Sequence, residues 1–517
     1  MTVTTNDKKW LKKSQIAGGG TPIALAGQGD QLWIGSPAGL FVLHDDSQQI
    51  VPVVHEIPLA SVQAIVQAGD RLLAAGLPFN LIYSGDGGDH WLRATIEGAD
   101  RPITALAPSP NILNDGVVLA STAGQGVLRS SDGGRYWEFA TFGLEDYNVL
   151  SIACAPEWSP ASEIAIAATA DGIYQSPNGG RAWRKSKFSG QMPENFIAQS
   201  FLFSPNFATD QRIFAGTEAH GIWLSEDGGL SWSPTNTPLN NQSVTAVAAD
   251  VANREKQTLY AAGGSGALYA SKNLGHSWET VAQLETPITC LAIQQGQLFA
   301  GLFNGGVKNI DKDQDGFGPL RRFNKLKVLN DEGWLIEEST GEQWQSPAGE
   351  SGWSKVEPAQ EAILNPPLNR VIVSCPNGAV TLGEDGKSYK IWWQSASGEA
   401  WQPVGTHLGY GRVPRLAVLA DDSGPAVALT LGADCLIFKD GAWHTHRLGT
   451  EGLPLSAVVG LANGTIVCAT FDQLHMFDGT YWSSIDGPTN NPLVDLAISQ
   501  TGSILALTTN GTIYELS

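Results

Sequence analysis

Apolar residues along this chain come in short runs, each closed by Gly, Asp, Asn, Ser or Pro. Residues 103–107 read ITALA and residues 244–248 read VTAVA. A second kind of run is built from small residues: VLAS at 118–121, IFAG at 213–216 and LYAA at 259–262. A Gly turn follows, then a third run such as GVLR at 126–129 or GIWL at 221–224. Runs this short, bounded by turn formers, predict strands rather than helices. After each third run comes an Asp/Gly turn, and a Trp opens a fourth strand. The chain therefore reads as one four-strand unit repeated many times.

The Asp/Gly turn recurs five times with little change. Its copies run from Ser84 through Asp86 and Gly88 to Trp91, and from Ser130 through Asp132 and Gly134 to Trp137. The next run from Ser176 through Asn178 and Gly180 to Trp183, from Ser225 through Asp227 and Gly229 to Trp232, and from Ser271 through Asn273 and Gly275 to Trp278. Successive Trp residues are 46, 46, 49 and 46 positions apart, and a fixed period of that size marks a repeat architecture. Four short strands per period joined by turns is the pattern of a β-propeller blade. The motif resembles the Asp-box, or BNR repeat, written Ser-x-Asp-x-Gly-x-x-Trp. Sialidases, sortilin-type receptors, xyloglucan-cleaving glycosidases and photosystem II assembly propellers carry it. Asp or Asn hydrogen-bonds its own turn, Gly accepts positive φ, and Trp supplies an apolar plate. The boxes thus read as structural turns away from the axis, not as ligand sites.

The second half keeps the period and loses the box. Trp353, Trp401, Trp443 and Trp482 remain as anchors, with DG turns at Asp440 and Asp478. Phe323, 45 residues after Trp278, reads as the anchor of residues 286–324. Residues 8–16 around Trp10 look like a fourth strand without its first three, and the chain ends in three strands without a fourth. From Trp482 round to Trp10 is one more period. An anchor near Val51 brings the count to twelve. The expected fold is all-β: one propeller of twelve four-stranded blades over residues 1–517, with strand 8–16 completing the last blade. Such a closure would remove a free sheet edge. The alternative is two tandem propellers with a boundary near residue 324.

The charge balance, 31 Lys plus Arg against 51 Asp plus Glu, gives net −20. A nucleic-acid-binding face needs clustered cations, so that class is excluded. No stretch has the apolar length of a membrane span, and the charged N-terminus lacks the apolar core of a leader peptide. Five single cysteines with no metal spacing read as buried reduced thiols in a cytoplasmic protein. A monomer is expected.

No GxSxG, Walker A or HExxH motif is present. Candidate ligand-binding residues are polar positions on loops between blades and between second and third strands: Glu145, Asp146, Tyr147, Glu194, Glu218, His220, Asn304, Tyr410, Arg412 and Asp472. Asp311, Asp313 and Asp315 have the DxDxDG spacing of a calcium loop, but Arg322 stands where the bidentate Glu belongs. The run reads as an elaborated turn of its blade, so no cofactor is expected, with calcium as the alternative. The expected function is a non-catalytic scaffold recognising a protein, peptide or glycan at the axial face. The alternative is a glycoside hydrolase or lyase acting on a carbohydrate in the axial cleft, with Glu145 or Asp146 opposite Glu218.

Overall fold

The computed structural model describes residues 10–516. Outside the description lie residues 16–20, 45–49, 54–60, 236–238, 250–256, 313–322, 347–352, 357–370, 396–401, 409–415, 420–425 and 450–454, with shorter stretches of one to three residues. The described residues are nearly all β and form twelve small sheets of three to five strands, antiparallel but for two short parallel additions. Two four-residue helices, Ile112–Asp115 and Phe207–Asp210, sit in turns.

The chain divides into two compact units, Gly19–Arg321 and Met1–Gly18 with Arg322–Ser517. Seven sheets belong to the first. Their first strands are Ala24–Gln28, Ser61–Ala68, Ile103–Pro108, Val149–Cys154, Ala198–Phe203, Val244–Ala249 and Ile288–Gln294. Each lies beside the next, and the seventh lies beside the first. Thr289 Oγ1 donates to the Pro22 carbonyl there, and Gln294 Nε2 donates to the Gly29 carbonyl at 3.2 Å.

In the second unit the first strands follow the order Val371–Cys375, Leu416–Leu419, Ala457–Gly460, Leu493–Ile498 and Phe323–Val328. The Leu326 N–H donates to Asp495 Oδ2 at 2.8 Å across the last step. The last sheet takes Trp10–Gln15 as its fourth strand, antiparallel to Thr512–Leu516 with Trp10 opposite Leu516.

One ring of twelve would put the seventh sheet against the eighth. Among the described residues the seventh sheet instead lies beside the first. The period is the same in either arrangement; the contact between the first and seventh sheets rests on a core of Leu32, Ile34, Phe41 and Leu43 with Ala292, Phe299 and Val307, beside the Thr289 and Gln294 bonds. Phe323 is also corrected. It is no fourth-strand anchor but opens the first strand of the eighth sheet, while three strands are described for the seventh.

Burial explains the composition of each strand. Second strands such as Val118–Thr122, Ala165–Thr169 and Ile213–Thr217 are buried along their whole length. A strand covered on both faces must be apolar throughout and small where neighbours approach. Fourth strands such as Glu279–Gln283 are largely exposed and polar. The cores lie between adjacent sheets. Ala107, Leu119 and Val127 of the third sheet meet Ile152, Ala165, Ala167 and Tyr174 of the fourth, under Trp183.

The Asp-boxes bind these cores. In the first box the Ser84 hydroxyl donates to Asp86 Oδ1 at 2.7 Å and accepts the Gly88 N–H at 2.9 Å. Asp86 Oδ1 accepts the His90 N–H at 3.0 Å, and Trp91 Nε1 donates to the Gly88 carbonyl at 3.0 Å. The other four repeat the Ser-to-Gly bond at 2.8–2.9 Å. The second Gly of every box has positive φ and faces a core side chain of the preceding sheet. A Cβ would lie 2.4 Å from Trp33 at Gly88, 2.0 Å from Leu73 at Gly134, and 2.5 Å from Leu119 at Gly180. It would lie 2.3 Å from Ile166 at Gly229 and 2.3 Å from Phe214 at Gly275. The box is thus a seam between neighbouring sheets as well as a turn. In the fifth box Leu274 replaces the first Gly and still takes φ 54°.

The box carboxylates carry an acid dependence. The His90 N–H, then the Ser84 hydroxyl, hold Asp86 down to about 2. Asp132 and Asp227 are lowered too: partial burial opposes the shift, and hydrogen bonds within their turns outweigh it. A folded pKa below the unfolded ~3.9 means this stability is present above about pH 4 and is lost as pH falls toward the folded value. Asn178 and Asn273 make the same turn bonds without titrating. A variant carrying Asp86→Asn, Asp132→Asn and Asp227→Asn will therefore lose less urea resistance than wild type between pH 5 and pH 2.5, read from urea midpoints at each pH. Equal losses would remove the boxes from the acid response.

Candidate functional site

Strand direction sorts the loops of the 19–321 unit onto two ends. Box turns lie beside the turns joining first and second strands: the Gly87 N–H donates to the Asp70 carbonyl, and the Gly133 N–H to the Gly116 carbonyl. At the other end, turns between second and third strands meet the connections between sheets. The Gly126 N–H donates to the Tyr147 carbonyl, the Glu218 N–H to the Ile197 carbonyl, and the Gly221 N–H to the Gln242 carbonyl. Glu145, Asp146, Tyr147, Glu194, Glu218 and His220 occupy that second end.

The connection 140–148, between the third and fourth sheets, is held by both core packing and backbone bonds. Ala140 and Leu144 are buried in the inter-sheet core, which turns Phe142, Glu145 and Tyr147 outward. Gly143 has φ 92°, and a Cβ there would lie 2.0 Å from the Trp183 carbonyl oxygen. Trp183, the box Trp of the next sheet, donates its backbone N–H to the Phe142 carbonyl and its Nε1 to the Ala140 carbonyl, both at 2.8 Å. The Tyr147 ring approaches Gly126, where a Cβ would lie 3.3 Å from Cδ1. Phe142 is 79% exposed and Tyr147 51% exposed, although both are large and apolar. The loop therefore holds two aromatic rings in water on a pinned backbone.

Beside them is a polar cluster. Lys185 Nζ donates to Asp171 Oδ2 at 2.6 Å and lies 3.5 Å from Glu145 Oε2. Tyr174 Oη donates to Asp171 Oδ2 at 2.9 Å and accepts the Glu145 N–H at 3.4 Å. The Lys185 ammonium, then the Tyr174 hydroxyl, hold Asp171 below the usual carboxylate range. Burial and that bond to Asp171 push Tyr174 up. Asp146 accepts the Asn148 N–H at 2.9 Å and stiffens its own loop.

One sheet further on, the His220 ring stacks on Phe196 at 6.3 Å between centroids, and its Nε2 lies 3.1 Å from the Glu194 carbonyl oxygen. The Glu194 side chain is exposed, as is Glu218. Glu145 and Glu218 are carried by different loops, with the Asp171 turn of the fourth sheet between them in the circuit.

The remaining candidates stand apart. Asp472 belongs to the second unit, where its carbonyl accepts the Gly487 N–H at 2.7 Å. Asp311 Oδ2 accepts the Leu298 N–H at 2.6 Å, so one of its oxygens is committed to the turn. Asn304, Tyr410, Arg412, Asp313 and Asp315 lie outside the described residues. Among the described residues, no group of three His, Cys, Asp or Glu is placed to hold a metal, and no helix is long and apolar enough to cross a membrane.

Sequence reading missed Phe142, Tyr174 and Lys185. The run Thr141-Phe-Gly-Leu-Glu-Asp-Tyr147 did carry a signal. It places aromatic and acidic residues together in a connection that needs only to be short and polar.

No family model matches the chain, and no curated protein matches it. Solved structures do. The Niastella koreensis GH74 enzyme shares 11% identity over 98% of this chain and 99% of that one, with a TM-score of 0.58. This is a β-propeller fold built from Asp-box repeats. The extracellular domain of BT4673 from B. thetaiotaomicron matches at 12% identity over 98% of this chain and 82% of that one, TM-score 0.45. YCF48 bound to D1 peptide matches at 16% identity over 58% of this chain and 96% of that one, TM-score 0.43. At these identities the likeness concerns the propeller fold, and function must be argued from the loops.

Proposed function

We propose that this chain is a non-catalytic binding scaffold whose 19–321 unit docks an extended cationic peptide across the loop 140–148. In this reading the two units are a seven-bladed and a five-bladed propeller, the smaller interrupted after its N-terminal strand by the larger. One observation carries the functional reading: Phe142 and Tyr147 stand exposed on a backbone held by Trp183 and Gly126. Exposed aromatics on a pre-ordered loop suit recognition, because they bury large area with little backbone left to order. Glu145 is exposed on the same loop, and the chain's net −20 favours a basic partner.

A glycosidase acid needs a raised pKa. Asp171, the carboxylate held beside this loop, is displaced downward, first by Lys185. That supports binding over hydrolysis. The carbohydrate reading keeps two supports: the fold shared with the GH74 enzyme, and aromatic rings that could stack on sugars.

Selection from a random displayed peptide library decides between them. Lys- and Arg-rich peptides with an aromatic residue will be enriched on the full chain. Failure to enrich any peptide, together with release of reducing ends from xyloglucan oligosaccharides, would overturn the reading in favour of the hydrolase.

A further inference from the structure

Two thiols of the C-terminal unit meet between neighbouring sheets. Cys435 lies in the strand Asp434–Lys439, third in its sheet, and Cys468 in Ile466–Ala469, second in the next. Cys468 Sγ donates to Cys435 Sγ at 3.4 Å, and both side chains are fully buried. We infer that Cys435 and Cys468 form a reversible disulfide tying these two sheets together.

Both residues are fixed in ladders. Cys435 stands opposite Thr430 and His446, and Cys468 opposite Val458 and His475. The approach left, from contact to the ~2.05 Å of an S–S bond, is on the scale of side-chain rotation with slight backbone adjustment. Other thiols are turned to backbone oxygens instead: Cys154 Sγ donates to the Ala107 carbonyl and Cys290 Sγ to the Pro22 carbonyl. The nearby imidazoles do not make this a metal pair. His475 has Ser484 Oγ at Nδ1 and Thr470 Oγ1 at Nε2, and the His446 ring packs on Phe477 and Trp482.

The oxidant is a low-molecular-weight disulfide. One cysteine loses its proton and its thiolate attacks a sulfur of the oxidant, whose S–S bond breaks and releases one thiolate that takes up a proton. The second cysteine loses its proton and attacks the mixed disulfide, expelling the other small thiol. Two protein thiols are oxidised and one small disulfide is reduced to two thiols. The contact with Cys435, then burial, holds the Cys468 thiol well above its usual range, so exchange needs local opening or occurs during folding. The product is then shielded from reductant by the same packing. The cross-link spans 33 residues, enough to remove substantial chain entropy from the unfolded state.

The test equilibrates the full chain with oxidised or with reduced glutathione, then alkylates it under denaturing conditions and maps the peptides. The oxidised chain will show three alkylatable thiols rather than five, with one cross-linked peptide pair containing Cys435 and Cys468. Its C-terminal unit will melt about 5–10 °C higher than when reduced, and a Cys435→Ala, Cys468→Ala variant will show no such redox difference. Five alkylatable thiols after oxidation, a link through Cys154, Cys290 or Cys375, or a stoichiometric metal in the purified chain would each overturn the inference.

Discussion

Gly88→Ala will destabilise the 19–321 unit by about 2–4 kcal/mol, whereas Gly87→Ala, one residue earlier in the same turn, will cost only about 1 kcal/mol. Both glycines have positive φ, 78° at Gly87 and 99° at Gly88, so both substitutions carry a backbone penalty. Only the second also meets packed atoms. A Cβ at Gly88 would sit 2.4 Å from Trp33 Cη2 and 3.0 Å from its Cζ2, while nothing lies within 4 Å of one at Gly87. Trp33 is 3% exposed and edge-on to Trp91 at 6.1 Å, so it has nowhere to retreat. The measurement is the denaturant midpoint of this unit, followed by hydrogen exchange in its strands. Equal losses for the two variants would mean that the box is only a turn and not a seam between sheets.

Phe142→Ala combined with Tyr147→Ala will weaken binding of the selected cationic peptide by about 100-fold, on the scale of two aromatic anchors lost from one interface. Folding should be little affected, because both rings are exposed and the loop is held through its backbone and Leu144. Glu145→Gln should act differently. It removes a rim charge, so it should slow association and flatten the salt dependence with a smaller loss of affinity. Titration calorimetry and stopped-flow association at two ionic strengths separate these effects. Unchanged affinity in the double aromatic variant would move the site off this loop.

What could be read from the sequence was what is local. The box is a closed set of bonds among residues two to four apart, as between Ser84, Asp86, Gly88 and His90. Its chemistry is therefore printed in the motif. Strand identity was legible for the same reason, since burial on both faces demands runs such as Val118–Thr122. The pairing of Trp10–Gln15 with the last strand also followed from an unfinished period at each end of the chain. Which sheet closes on which was not legible. That depends on Thr289 reaching Pro22 and Asp495 reaching Leu326, contacts between positions far apart that leave the period untouched.

The helical turns Ile112–Asp115 and Phe207–Asp210 were missed although both carry one pattern. The Ser109 hydroxyl donates to Asp115 Oδ2 at 2.7 Å and the Ser204 hydroxyl to Asp210 Oδ2 at 2.6 Å, closing the same six-residue step. For the site, Glu145 and Tyr147 were found as polar loop positions, but their neighbours were not. Phe142 looks like core until Leu144 is seen to take the buried place. Lys185 lies 40 residues beyond Glu145 and meets it only because consecutive sheets pack side by side.

We place the partner of the 19–321 unit on the loop 140–148. Hydrogen exchange by mass spectrometry on the full chain, with and without a selected Lys/Arg-rich peptide, tests it most directly. Exchange will slow across residues 140–148 and the turn around Asp171, with the box turns at 86–91 and 132–137 unchanged. Protection confined to the box end, or to the C-terminal unit, would contradict it.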